Sequence, residues 1–452
     1  MDKFRKSNKL QYIRNTFKER ILFFGQNSGL HGCRHVFKDD AHFVFRLFWI
    51  LILLASAWCL YLLLESVMEH GDEIGFGLDT RYLTWTTTFP AVTVCEIYHQ
   101  RTAEKKLVER YPNQTKTLNS DYKKHLSAVV YGRYNNNIKK LEQSCGGVIP
   151  CDLKWRDMAE NIRLKCTEML SDCSYNNIEF TCCDKFLVVD SEYGPCISFN
   201  TLQNVNADID DLFTVNITTG PGVLKFRLLE NAEVSVHSPE ELSTNNLNVK
   251  YKFEVMLYLA NRVEYLFSLV EIENDPMLQT EGLDVRRCRY HRELPADPLF
   301  VYPVYSVGTC YLVQDTIHLY DDCGCVHPIR DLSYKNKFCN YTGLTCISMV
   351  QEREKLKVDK DKNTMYGNCL PSCEEVEVTA IHLTRNWVPE EPRKGTLVTI
   401  RMSSLPTIRF QRNLLRTDLD LVVSVGGIVG LFFSASVLTV VEIFYLLFRN
   451  IR

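Results

Sequence analysis

From Leu421 to Phe448 the chain reads LVVSVGGIVGLFFSASVLTVVEIFYLLF, and the 21 residues through Val441 carry no charge. A helix of that length crosses roughly 30 Å of hydrocarbon. Inside a bilayer every backbone polar group needs a partner in the protein, so this stretch confines the chain to membrane architectures. The small residues within it are patterned. Gly426, Gly430 and Ser434 recur every four positions and share one helix face. That spacing lets helices approach closely in lipid, where packing drives association. Ser434-Ala435-Ser436 then sets two hydroxyls at about mid-membrane, where polar groups face a partner helix or a water-filled path. Glu442 follows at the far end of the span. Taken alone, the pattern fits a self-associating anchor with an interfacial carboxylate as well as it fits a pore.

A second uncharged run, Leu47 to Leu64, has 18 residues and predicts a first membrane helix over residues 43–65. Met1 to His42 hold nine Lys or Arg against four Asp or Glu. That basic flank places the N-terminus in the cytoplasm. Arg46 can snorkel toward that side, while Glu65 and Glu69 mark the outer face. No small-residue cleavage site follows the run, so a removable signal peptide is not expected. The expected layout is a cytoplasmic segment 1–42, an extracellular segment 66–419, a second span 420–448 and a four-residue cytoplasmic end 449–452, in the plasma membrane.

Sixteen of the 18 cysteines fall between the two spans, as in an oxidising compartment. Three glycosylation acceptors, Asn113, Asn216 and Asn340, lie there too, and none lies in the ends. A net charge of −3 gives no reason to expect nucleic-acid binding. There is no Gly-rich phosphate loop, GxSxG or HExxH, so an enzyme, a cofactor and a catalytic residue are not expected. The segment between the spans reads as one continuous α+β domain. Strand-like runs are expected around Pro90, over 186–199, within 223–270 including Tyr251–Tyr258, at Thr396–Met402 and at Pro406–Phe410. Helical spacing covers Trp155–Leu170, and Val304–Tyr320 is expected to lead from a strand into a helix.

Two motifs carry a family resemblance. GGIVGLFFSASVLTVVE resembles the second transmembrane segment of the degenerin/epithelial sodium channel family: a Gly-Gly, a small-x-Ser filter and a leucine-rich run ending in Glu. Phe89-Pro90-Ala91-Val92-Thr93-Val94-Cys95 resembles the motif that follows that family's first span. The likeness extends over nearly the whole chain and is most like insect pickpocket-type subunits in RRCRYHRE around Cys288 and in a short stretch between Cys373 and Thr396. It implies one subunit of a homo- or heterotrimeric, amiloride-sensitive, sodium-selective channel. Its extracellular domain would be a palm of strands with a finger at about 101–195 and a thumb at about 288–373. It implies a selectivity filter of Ser434, Ala435 and Ser436, pore-lining Ser424, Gly427, Leu431 and Glu442, and gating roles for His31, Gly32 and Val423. Ser424, Gly427 and Leu431 share a helix face, assigned to the pore; the Gly426–Gly430 face is assigned to helix packing. Acid-sensing relatives hold a His pair before the FPAVT motif. The matching positions here are Ile74 and Gly75, which argues against proton gating by that route.

The resemblance also implies disulfides. Cys288 is expected to pair with Cys373, Cys310 with Cys369, Cys323 with Cys346, Cys325 with Cys339, and Cys95 with Cys196. A further rung of acid-sensing relatives is absent, with Gln314 and Gly367 at its positions. Cys145, Cys151, Cys166, Cys173, Cys182 and Cys183 allow 15 pairings. Zinc is the rival reading of such clusters, disfavoured outside the cell, so no metal site is expected. Two other two-span classes compete. An ATP-gated channel would need clustered lysines at the outer membrane face and has a filter unlike Ser-Ala-Ser. A scavenger-type lipid receptor would conduct nothing.

Overall fold

The computed structural model describes residues 22–38, 42–69, 74–112, 120–132, 155–245, 247, 249–355, 369–389, 394–415 and 418–448. It comprises two units, one formed by residues 76–412 and the other by the two chain ends. Asn113, Cys145, Cys151 and Gly367 lie outside the described residues.

The larger unit is built on the strand Arg262–Asn274, whose side chains alternate so that Val263, Tyr265, Phe267, Leu269 and Glu271 face the interior. Its first half pairs in parallel with Thr396–Met402, and Glu271–Asn274 pair in parallel with Arg409–Arg412. The opposite edge pairs antiparallel with Glu375–Asn386, with a bulge at Leu266/Phe267. Val223–Leu228, Leu170–Tyr175 and Ile178–Glu179 complete this sheet beyond Thr396–Met402. A second sheet orders Lys252–Val255, Ala232–His237, Ala91–Glu96, Gly194–Phe199 and Phe186–Ser191, antiparallel throughout. The two sheets bury a common core whose hub is Phe89. Its ring makes edge contacts with Tyr175, Phe199 and Phe267 at centroid separations of 5.3, 6.4 and 5.9 Å.

Helices Gln100–Arg110, Ser120–Val130 and Trp155–Ile162 bury Leu107, Leu126 and Ile162 against Leu319, Leu344 and Ile347. The last three come from the helices Val307–Cys323 and Tyr341–Lys355. Val307–Cys323 starts at a capping box, with Ser306 Oγ accepting from Thr309 N at 3.1 Å. It stops at Gly324, whose left-handed φ of 69° suits glycine. Cys323–Cys346 ties this helix pair together, Cys310–Cys369 ties the first helix to the segment that leads into Glu375–Asn386, and Cys325–Cys339 and Cys288–Cys373 pair outside the two helices. Cys95–Cys196 crosses the second sheet, and Cys166–Cys183 and Cys173–Cys182 are also formed. These cysteines are therefore not zinc ligands, and no metal cluster occurs among the described residues.

Five expectations change. The last strand is Arg409–Leu414, three residues later than the Pro406 start, because Pro406 lacks the N–H that a ladder needs. Val304 is in a loop before the Ser306 cap rather than in a strand. Only Lys252–Val255 of Tyr251–Tyr258 pairs, and the helix expected over Trp155–Leu170 breaks at 163–165, with Leu170 already in the next strand. The short stretch after Cys373 becomes the twelve-residue strand Glu375–Asn386.

Candidate functional site

In the membrane unit the first span is a continuous helix, Phe43–Glu69, four residues longer than expected. The second is not continuous. Helix Asp418–Phe433 ends, Ser434-Ala435-Ser436 intervene, and helix Val437–Phe448 resumes at a bend of 58°. Ser434 takes the left-handed region at φ 53°, unusual for a residue with a Cβ, while its N–H still donates to Gly430 O at 2.8 Å. A backbone strained at one residue is a candidate functional position.

The new helix has its own cap. Thr439 N donates to Ser436 Oγ at 3.3 Å, Ser436 N donates to Thr439 Oγ1 at 3.1 Å, and the two hydroxyls lie 3.2 Å apart. Ser436 is thus the N-cap, satisfying one of the donors that a helix start leaves open. The Ser-x-x-Thr spacing ahead of an apolar run is a start signal in the sequence, and Thr439 is the site residue that it could have revealed.

The segment preceding the first span meets this break. His31 N donates to Phe433 O at 3.3 Å, which satisfies a carbonyl freed where the helix stops. Gly32 follows at φ 84°, and a Cβ there would lie 2.9 Å from Leu53 Cδ2 of the first span. Two constraints, backbone region and space, therefore select glycine at that position. A Cβ on Gly29 would sit 2.8 Å from Glu442 Oε2, so residues 29–32 approach both the break and the carboxylate beyond it. Helix Cys33–Val36 holds this segment against the first span through His35, whose ring stacks on Trp49 at 4.5 Å. Gly29, Phe433, Leu53 and Thr439 were absent from the sequence-based site.

The structure thus brings His31, Gly32, Ser434, Ala435, Ser436 and Glu442 to one elbow. Val423, Gly427 and Leu431 lie on the other helix and are exposed in the isolated chain, with Ser424 half-buried. A Cβ on Gly426 or Gly427 would meet nothing within 4 Å, so neither glycine packs on this chain's own first span.

In the other unit, the side-chain oxygen of Asn216 accepts from Thr218 N and Thr219 N, each at 3.0 Å. Asn340 is exposed at the start of helix Tyr341–Lys355.

The family model described as the amiloride-sensitive sodium channel matches residues 24–446. Pickpocket protein 19 of Drosophila melanogaster is 20% identical, the alignment covering 95% of this chain and 91% of that protein. The sodium channel protein Nach of the same species is 22% identical over 96% and 87%. Acid-sensing ion channel 1C of Danio rerio is 23% identical over 96% and 84%.

Proposed function

The chain belongs to the amiloride-sensitive sodium channel family, an ion channel family rather than an enzyme family, and from that premise we propose that it is one subunit of a trimeric, sodium-selective channel gated from its extracellular domain. The observation that carries this reading is the interrupted second span. A sodium filter must replace part of the ion's water with oxygens at close range. An unwound Ser434-Ala435-Ser436 supplies hydroxyls and carbonyls there, and three copies around an axis would form a ring. Irregular backbone at that depth is tolerated where it is enclosed by protein or lines water, and a pore is such a place.

The roles follow from position. Ser434, Ala435 and Ser436 form the filter. Ser424, Gly427 and Leu431 line the path on one side of it, and Glu442 concentrates cations on the other by Coulomb attraction. His31 and Gly32 hold the break from the N-terminal side and gate it. Val423 gates as well, and its bulk biases the subunit toward opening. Both chain ends are cytoplasmic, the protein resides in the plasma membrane, and Asn113, Asn216 and Asn340 carry glycans.

The test is expression alone and with related subunits, recording amiloride-blockable sodium current while force, peptides, small ligands and osmotic steps are applied. Val423→Trp should raise resting current and Val423→Ala lower it. Surface-delivered subunits that never carry sodium current in any combination would refute the channel reading.

A further inference from the structure

Glu271 occupies an interior position on an otherwise apolar strand face. It follows Leu269 in the alternation and is only 7% exposed. The charge is met by Arg409, also 7% exposed, at the first position of the last strand. Arg409 Nε donates to Glu271 Oε2 at 2.8 Å, Nη2 donates to the same oxygen, and Nη1 donates to Glu273 Oε1 at 2.6 Å. Thr87 Oγ1 adds a third donor to Glu271 Oε2 at 3.1 Å. The guanidinium lies over the Trp85 ring at 4.6 Å from its centroid. Three chain segments therefore converge on one arginine: 85–87 downstream of the first span, the central strand, and the strand that runs on toward the second span.

In the sheet order the last strand lies between Ile74–Asp79 and the central strand. It pairs with the central strand only over Arg409–Arg412, whereas Glu375–Asn386 pairs along nearly the whole opposite edge. We propose that Arg409 is a positioning residue for gating, its fork onto Glu271 and Glu273 locking the strand that precedes the second span to the extracellular sheet. A shift of that sheet, or of the Trp85–Thr87 segment, then reaches the strand through a rigid side-chain joint in addition to the four residues of ladder it shares with the central strand. Arg suits the role because its planar fork engages two carboxylates and stacks on an indole at once, which a lysine cannot do. This builds on the channel reading given above.

The test uses full-length chain, in cells and in detergent, with Arg409→Ala, Arg409→Lys and the exchange pair Arg409→Glu/Glu271→Arg. Backbone amide exchange over 409–414 should accelerate about ten-fold or more in Arg409→Ala while exchange over 396–402 stays unchanged. Current per surface channel should change in the same variant with the sodium-to-potassium ratio unaltered. Arg409→Lys should fall between, and the exchange pair should recover both readouts in part. Should Arg409→Ala fail to reach the surface, Arg409→Lys carries the same comparison. Unchanged exchange over 409–414 in a folded variant, or acceleration spread evenly over the whole sheet, overturns the proposal. A wild-type chain that conducts nothing defeats the channel reading but leaves the exchange experiment able to decide the joint.

Discussion

Replacing Ser436 by Ala removes the hydroxyl that begins helix Val437–Phe448. Losing a Ser cap costs about 1 kcal/mol. The loss falls on the break itself, since the same hydroxyl faces Thr439 and the Ser436 backbone N–H is held by Thr439 Oγ1. If the filter's preference for sodium depends on that fixed geometry, about 1 kcal/mol is the ceiling on what the cap alone contributes to it. For a monovalent ion this equals about 40 mV of reversal potential, because a charge crossing 100 mV is worth about 2.3 kcal/mol. Reversal potentials under sodium/potassium gradients are the assay. Ser436→Ala should shift reversal toward potassium by up to about that amount. Thr439→Val, which leaves Ser436 in place, should shift it in the same direction, and the double variant should shift it little further because one unit has been removed twice. Leu438→Ala should not shift it. An unchanged permeability ratio in Ser436→Ala, with current still present, would remove the filter assignment; a shift in Ser436→Ala with none in Thr439→Val would separate the filter from the cap.

Gly32→Ala should undock the segment before the first span. Left-handed backbone costs a residue with a Cβ about 1–2 kcal/mol, hence a roughly five- to thirty-fold loss of the docked population. Current per surface channel should fall accordingly, and an unaltered current would exclude Gly32 from gating. His237, buried, with Nδ1 donating to Ser238 O and Nε2 accepting from Thr93 Oγ1 at 2.9 Å, is held neutral and its pKa is pushed down by burial to about 4. A lowered folded pKa means stability present above about 6.5 and lost as pH falls through about 4, amounting to about 3 kcal/mol at most. His237→Gln should flatten the fall in melting temperature between pH 7 and 4 measured on detergent-solubilised chain; an identical pH slope in both proteins would contradict the assignment.

What could be read from residues alone depended on how local the signal was. The two uncharged runs declare membrane spans because lipid leaves few alternatives. The partner of each cysteine was legible only through resemblance, since spacing does not choose among pairings. The break was legible as composition, Ser-Ala-Ser, but its geometry was not. The left-handed Ser434, the cap made by Thr439 and the His31–Phe433 bond each join groups whose approach no periodicity encodes. The last strand was misplaced because propensity saw Ile408 and Phe410 and missed that pairing begins at Arg409, where a buried carboxylate awaits it. In the sequence nothing distinguishes Glu271 from an ordinary polar residue of an alternating strand, since interior and exterior positions are told apart only by the neighbours that cover them.

The central strand also dictates an order of events during synthesis. Its ladder neighbours all come later in the chain, beginning with Glu375 opposite Ile272, a separation of 103 positions. At about 5–20 residues per second, a nascent chain carries this strand with both edges open for roughly 5–20 s before any partner is made. Phe89 and Phe226, which cover its apolar face, are already synthesised, so it is the open edges that invite misassociation in that interval. The Cys288–Cys373 bridge falls almost wholly within that interval of chain and ends two residues before Glu375. Oxidation of that one pair brings the missing strand to its place, so in a secretory compartment short of oxidant, chains should stall with the sheet half-built, held by chaperones that recognise extended apolar segments.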